Sequence, residues 1–223
     1  MDKKATWDRF YKESASKGEF KNFEWFFGFH SVKNVILPMV QSMSLSHESA
    51  LHILDMGCGT SALGPCIYST SPCAVRVTCA DISPEAVKLM KVHTSTQPSN
   101  KNSSLEFLEL DGTELSGHFG ARTLDMILDK GTTDALVRSK EGRAKAGQLI
   151  RQCVQILKPS GRLLQFSDED PDARLIWLEN EVKGVEEGAD VGYQEMGEQR
   201  GVSYFCYQIS PRTASDSDKG KLV

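Results

Sequence analysis

Asp55 stands two residues before the first of two glycines, Gly57 and Gly59, in Leu51-His52-Ile53-Leu54-Asp55-Met56-Gly57-Cys58-Gly59-Thr60-Ser61. The apolar run before it reads as a buried strand, and the residues after it open a helix. Gly57 and Gly59 can take backbone angles closed to other residues and let a ligand approach the main chain, with the amides of the helix start facing it. Such a turn suits a nucleotide cofactor, and Gly57 to Ala62 also satisfies the looser dinucleotide fingerprint. The carboxylate argues otherwise, because Asp55 would repel a pyrophosphate seated at the turn. S-adenosylmethionine has no phosphate. It carries a sulfonium and an α-amine, and Asp55 is placed to face that amine.

Three further acids follow apolar runs: Asp81 after Ala74 to Ala80, Asp111 after Leu105 to Leu110, and Asp129 after Leu124 to Leu128. In an open α/β sheet a ligand lies beyond the carboxyl ends of the strands, where these acids collect. Asp81, 22 residues past Gly59, is positioned for the ribose hydroxyls, and Asp111 with the backbone at Gly112 for the adenine amine. A single strand-end Asp is equally well explained as a helix cap or a solvated turn. Three in register point to a site.

Asp129 opens Asp129-Lys130-Gly131-Thr132-Thr133-Asp134-Ala135 on the side that would meet a methyl acceptor. The Asn/Asp-Pro-Pro-aromatic segment that serves base-amine and glutamine methylation is absent there. Asp129 is a candidate to orient an incoming amine and Lys130 to support the cofactor pocket; the alternative is a surface ion pair worth under ~1 kcal/mol. Asp168 and Glu169, just past the fifth strand, are candidates to attract and orient a lysine-bearing substrate. Asp170-Pro171-Asp172 is also explained as a helix start, favoured by the macrodipole and by proline at the first position.

The amino-terminal arm, residues 1–45, holds nine of the eighteen aromatics. Its phenylalanines suit an amphipathic segment packed on the sheet, whereas Trp7, Tyr11 and Trp25 are candidates to cap the cofactor and screen its sulfonium by cation–π attraction.

These residues need a scaffold of alternating strands and helices. Ser83 as N-cap and Pro84 at the first position begin a helix, and Ala146, Leu149, Ile150, Cys153, Ile156 and Leu157 recur at helical spacing. Lys158-Pro159-Ser160-Gly161 is expected to stop that helix before a strand from Arg162 to Phe166. Val191 to Met196, a turn over Gly197 to Gly201, and Val202 to Ile209 read as an antiparallel hairpin. The expectation is a Rossmann-like α/β fold of the seven-stranded class I methyltransferase type, one domain over residues 1–210, with a disordered tail from 211 to 223.

Composition agrees with a soluble single domain: 39% hydrophobic and 25% charged residues, and a net charge of −4 that leaves no footprint for nonspecific nucleic-acid binding. No apolar run is long enough for a membrane span. Six cysteines without a C-x-x-C pair read as buried thiols, and the dispersed histidines give little support to a metal site. Met1-Asp2-Lys3-Lys4 shows no targeting segment, and the Asn102-Ser103-Ser104 sequon has no secretory context.

Taken together, Trp7-Asp8-Arg9, Phe23-Glu24-Trp25-Phe26-Phe27-Gly28, the Asp55 glycine turn, Asp129-Lys130-Gly131-Thr132, Gln165 to Leu175 and Arg200-Gly201-Val202-Ser203-Tyr204-Phe205 resemble the protein-lysine methyltransferases of the methyltransferase-like group. The likeness runs from Trp7 to Ile209. The Asp-Lys-Gly-Thr segment also occurs in relatives that modify elongation factor 1A, while the Phe166 to Asp172 stretch and the Arg200 hairpin resemble the branch acting on mitochondrial citrate synthase. The resemblance implies S-adenosylmethionine as cofactor, a protein substrate, and cofactor contacts at Trp7, Tyr11, Trp25, Gly57, Asp81, Ile82, Asp111, Gly112 and Lys130. It implies a mitochondrial location, with the cytosol as the alternative for a chain lacking a presequence. Thr133 departs from the apolar or aromatic residue common at its position. Methylation of a small amine and noncatalytic cofactor binding by a partner protein are the competing classes.

Overall fold

The structure is a computed structural model that describes residues 3–16, 18–46, 49–183, 185 and 188–212. Seven strands form one sheet: β1 (Leu51–Met56), β2 (Val75–Asp81), β3 (Ser104–Glu109), β4 (Leu124–Lys130), β5 (Leu157–Ser167), β6 (Ala189–Gln199) and β7 (Val202–Pro211). Their order is β3-β2-β1-β4-β5-β7-β6. β1 to β5 pair in parallel, and β7 lies antiparallel between β5 and β6. The chain leaves β1 for β2 on one side and returns to β4 on the other, which opens a crevice at the carboxyl ends of β1 and β4.

Helices α1 (Lys4–Ala15), α2 (Lys33–Ser44), α3 (Leu63–Thr70), α4 (Pro84–His93), α5 (Leu115–His118), α6 (Thr132–Val137), α7 (Lys140–Ile156) and α8 (Pro171–Val182) surround the sheet. Strand side chains alternate between faces, so each strand supplies two cores. Leu51 and Ile53 pack with Ile36, Val40, Leu63 and Ile67; Leu54 and Met56 pack with Leu149, Ile150, Cys153, Leu178 and Val182. The apolar spacing in α7 thus faces one side of the sheet, and α2 and α3 cover the other.

Three sequence expectations are corrected. Lys158 to Gly161 does not stop the helix before a strand; β5 begins at Leu157 and runs through this stretch with a register irregularity against β4. The proline and glycine are tolerated because the segment bulges, and Lys158 Nζ is held 2.8 Å from Asp125 Oδ1. The hairpin turn is shorter than the five residues expected. β6 continues to Gln199, with an irregularity between Glu195 and Gly197, and only Arg200 and Gly201, both with positive φ, make the connection. That is the two-residue geometry matched to strand twist. Pro211 pairs with Ala189, so the sheet extends beyond the expected limit at residue 210; residues 213–223 of the expected tail lie outside the described residues.

Candidate active site

The turn after β1 is fixed from several directions. Gly57 and Gly59 have φ of +64° and +52°, which a side chain would strain. Cys58 N donates to Ala80 O at 2.9 Å, joining the turn to β2. Asp81 joins two turns, its Oδ2 accepting from Gly59 N after β1 and its Oδ1 from Ser83 N after β2, each at 2.8 Å. The Ser83 hydroxyl does not cap α4 as the sequence suggested; it donates to Asp8 Oδ1 at 2.6 Å and ties α1 to this loop.

Asp55 is almost fully buried, with Oδ2 accepting from Gly64 N at 3.0 Å near the start of α3. Burial pushes its carboxyl up to about 7, against the pull of Lys130 and the Gly64 amide. Asp81 is raised to about 6, also by burial, opposed by the Ser83 and Gly59 amides. Asp111 Oδ1 accepts from Thr113 N and Thr113 Oγ1, both at 2.8 Å, so it caps the short 3-10 turn at Gly112 while standing at the same cleft.

Aromatic residues roof this floor. Trp7 and Tyr11, both on α1, stack with centroids 6.0 Å apart, and Trp25 meets Trp7 edge-on at 6.1 Å. A Cβ on Gly59 would lie 2.3 Å from Tyr11 Oη, and one on Gly131 would lie 2.3 Å from Trp25 Cδ1. Both glycines therefore admit the roof as well as a ligand.

All eleven cofactor candidates, Trp7, Tyr11, Trp25, Asp55, Gly57, Gly59, Asp81, Ile82, Asp111, Gly112 and Lys130, line one cleft enclosing about 1080 Å³ of empty space, its open mouth included. Its chemistry fits S-adenosylmethionine: buried carboxylates at the strand ends, tryptophan faces above, and apolar walls from Ile82, Leu110 and Leu149.

Lys130 is held differently from a free pocket cation. Its Nζ donates to Glu24 Oε2, to Phe27 O at 2.9 Å and to Trp25 O at 3.3 Å, and its side chain is only 4% exposed. Glu24 in turn accepts from Ser61 Oγ at 2.7 Å and from Ala62 N at 2.8 Å. Lys130 and Glu24 thus fasten the aromatic segment to the cofactor turn. Asn22 adds a bond from Nδ2 to Thr60 O at 2.8 Å. Thr132 completes the floor, Oγ1 donating to Met56 O at 3.0 Å. The sequence reading gave Glu24, Asn22 and Thr132 no role; their only signal was position inside or beside the aromatic and Asp-Lys-Gly-Thr segments.

The three acids expected at the acceptor, Asp129, Asp168 and Glu169, do not line the cleft. Asp129 is fully buried. Oδ1 accepts from Thr132 N at 3.0 Å and Thr133 N at 3.3 Å, while Oδ2 accepts from Thr133 Oγ1 and from Gln165 Nε2 at 2.9 Å. Its work is to hold the Asp-Lys-Gly-Thr turn against β5. Thr133, which departs from the apolar or aromatic residue common at its position, is buried as a partner of that carboxylate.

Glu169 pairs with fully buried Arg174, Oε2 to Nε 2.6 Å, and Asp168 beside it is exposed. Arg174 also donates through one terminal nitrogen to Asp134 Oδ1 at 2.6 Å and Ser167 Oγ at 3.1 Å, so one guanidinium joins the turn after β4 to the turn after β5. Asp170 caps α8 by accepting from Asp172 N at 2.9 Å, with Pro171 at the first position, which accounts for that part of the acidic run as a helix start. Among the described residues, no group of three or more His, Cys, Asp or Glu could hold a metal ion.

A family model described as a methyltransferase domain matches residues 54–163. The chain is 74% identical over 97% of its length to the mitochondrial citrate synthase-lysine N-methyltransferase of Danio rerio, covering 87% of that protein. It is 39% identical over 91% of its length to the protein of the same name from Homo sapiens, covering 84% of it. Among solved structures, the magnesium protoporphyrin IX methyltransferase of Synechocystis PCC 6803, which has S-adenosylmethionine bound, matches with a TM-score of 0.55 and 14% identity over 94% of this chain and 95% of that one. That structure supports the fold alone. With the sheet order, the roofed glycine turn and identity sustained along nearly the whole sequence, the chain belongs to the citrate synthase-lysine N-methyltransferase family of S-adenosylmethionine-dependent methyltransferases.

Proposed function

We propose that this chain methylates a lysine ε-amine of citrate synthase, and that it does so in mitochondria, where the names of its relatives place them. The observation that carries the reading is the near full-length identity to citrate synthase-lysine N-methyltransferases. When bound, S-adenosylmethionine supplies an electrophilic methyl group on sulfur. In this proposal Asp55 attracts the methionyl amine, Asp81 takes the ribose hydroxyls, Asp111 and Gly112 meet the adenine edge, and Trp7, Tyr11 and Trp25 exclude water from the sulfonium. Gly57, Gly59 and Ile82 shape the wall. A lysine of pKa ~10.4 must lose a proton before it attacks in line, so alignment and desolvation count for more than a strong base. Asp168 is the exposed acid that draws the substrate lysine toward the rim, Glu169 is held beside it by Arg174, and Asp129 positions the turn beneath.

Radiolabelled cofactor supplied to purified citrate synthase and, in parallel, to elongation factor 1A tests the substrate. Label on a citrate synthase lysine is the expected result; label on elongation factor 1A with none on citrate synthase overturns it.

Two cofactor predictions follow from the carboxylates. Asp81→Ala should weaken S-adenosylmethionine binding by about 1.5–3 kcal/mol, the range for hydrogen bonds to a charged group, as read by calorimetry. Asp55 should make binding pH-dependent. With its carboxyl raised to about 7, the charge that attracts the amine is lost as pH falls through 7. Affinity should be roughly tenfold weaker at pH 6 than at pH 8, the change expected when one group must deprotonate to bind. Asp55→Asn should flatten the profile; an unchanged slope in that variant would remove Asp55 from the amine.

A further inference from the structure

Beyond the acceptor turn the sheet ends in a surface that the fold leaves uncovered. β6 is the last strand and, among the described residues, pairs only with β7. Paired residues of neighbouring strands share a face, so two rows run outward from β5: Gln165, Tyr207 and Tyr193, and, at the carboxyl end, Ser167, Phe205 and Glu195. Cover is lost along each row. Gln165, Tyr207 and Ser167 are buried and Phe205 is half-buried, whereas Glu195 is exposed and Tyr193 is 49% exposed. The three rings form one cluster, the centroid of Tyr193 lying 6.2 Å from that of Phe205 and 6.1 Å from that of Tyr207. Tyr207 Oη donates to Glu169 O at 2.6 Å, which ties this ledge to the turn that carries Asp168.

We propose that the ledge of Tyr193, Phe205 and Glu195 docks the protein substrate, through a basic surface with an apolar centre that flanks the acceptor lysine. A large ring held half in solvent by two others is the kind of anchor that protein interfaces bury. Charge selects the partner. From Ser167 to Arg174 and from Ala189 to Arg212 the chain carries seven acids against three bases, Arg174, Arg200 and Arg212; Arg174 is buried on Asp134 and Glu169, and Arg212 pairs with Asp190. β6 itself has Asp190, Glu195 and Glu198 and no basic residue. A second copy laid edge to edge on β6 would set these acids against their own kind. A lysine-bearing surface meets the opposite sign. Glu195 stands two strand spacings, about 10 Å, from the end of β5, so what binds here lies beside the acceptor lysine and does not supply it. None of the three ledge residues lines the cofactor cleft, so their work is separable from cofactor binding. The inference rests on the proposed activity toward citrate synthase.

The test is steady-state methylation of purified citrate synthase by the full chain, with calorimetric titration of S-adenosylmethionine in parallel. Tyr193→Ala should raise KM for citrate synthase about tenfold, the effect of truncating an interface aromatic, while kcat and cofactor affinity stay within about twofold of wild type. Glu195→Lys should raise KM about threefold at low salt, and the difference should fade as ionic strength rises, because an exposed charge is screened. A loss of kcat or of cofactor affinity in Tyr193→Ala, at unchanged KM, marks a packing role within the sheet and overturns the proposal. So does wild-type KM in both variants. If Tyr193→Ala does not fold, Glu195→Lys decides alone: a salt-sensitive rise in KM supports the ledge, and an unchanged KM overturns it. A wild-type chain that sediments as a dimer and turns monomeric in Tyr193→Ala gives the ledge to a second copy and overturns the proposal as well. Wild-type protein that binds the cofactor yet leaves citrate synthase unlabelled refutes the proposed substrate, and the inference with it; labelling at wild-type KM in both variants strikes the ledge alone.

Discussion

Gly57→Arg is expected to abolish measurable S-adenosylmethionine binding while leaving a folded protein. At φ of +64° a non-glycine residue costs on the order of 1–2 kcal/mol before any contact is counted. The contact is worse. A Cβ there would lie 1.9 Å from Thr132 Oγ1 and 2.9 Å from Thr132 Cβ, so the threonine that bonds Met56 O must be displaced. The rest of the arginine would then project into the cleft and bring a cation to Asp55, the group assigned to the methionyl amine. Calorimetry should show no binding heat, and a thermal melt should show a cooperative transition. Binding within threefold of wild type would mean that the cofactor does not approach this turn.

Arg174→Ala should cost about 3–5 kcal/mol of folding stability, the range for removing one partner of a buried charge pair. The arginine has no exposed surface, and Asp134 Oδ1, Ser167 Oγ and Glu169 all depend on it; its guanidinium also lies 5.4 Å from the centre of the Trp177 ring. Asp134 supplies a pH signature. Burial already raises its carboxyl to about 6, against the pull of Arg174, so the folded state holds that proton more tightly than the unfolded chain does. Its ionisation therefore lowers stability as pH rises from about 4 to about 6. Without Arg174 the carboxyl rises further and the penalty extends to higher pH, so the deficit of the variant should be smaller at pH 5 than at pH 8. Denaturant unfolding at both values checks this. A loss under 1 kcal/mol at pH 8 would show that water replaces the guanidinium.

The glycine turn, the strand-end acids and the terminal hairpin were legible because each is a local signal: a residue type needed at a fixed offset from a strand or a turn. What escaped the reading depends on partners far apart in sequence. Glu24 looks like one acid among aromatics until the fold brings Lys130 and Ala62 to it. Asp129 has the spacing of an exposed strand-end acid, yet Gln165 on the next strand and Thr133 one helical turn on enclose it. The stretch from Lys158 to Gly161 carries turn residues, but it is spanned as a bulge between the Leu124–Leu157 and Met126–Arg162 pairs, with Lys158 held by the Asp125 carboxylate. Ser83 has the right type for a cap, and its hydroxyl is taken by Asp8, a residue of the arm whose docking no local pattern announces. Arg174 sits in a run that reads as a helix start, and nothing in that run says its side chain points inward.

Helix α1 joins the body through Asp8 to Ser83, the surface pairs Lys4–Glu109 and Lys12–Glu85, and the aromatic contacts of Trp7 with Trp25 and of Phe10 with Phe23. None of these side chains belongs to either of the two cores that hold the sheet. Detachment of this one short helix would open the roof with every strand still paired. Amide protons of α1 would then exchange with solvent through a low-energy local opening, and those of β1 and β4 only through global unfolding. A slow step at the roof would make turnover respond to solvent viscosity without any change in the chemistry below it.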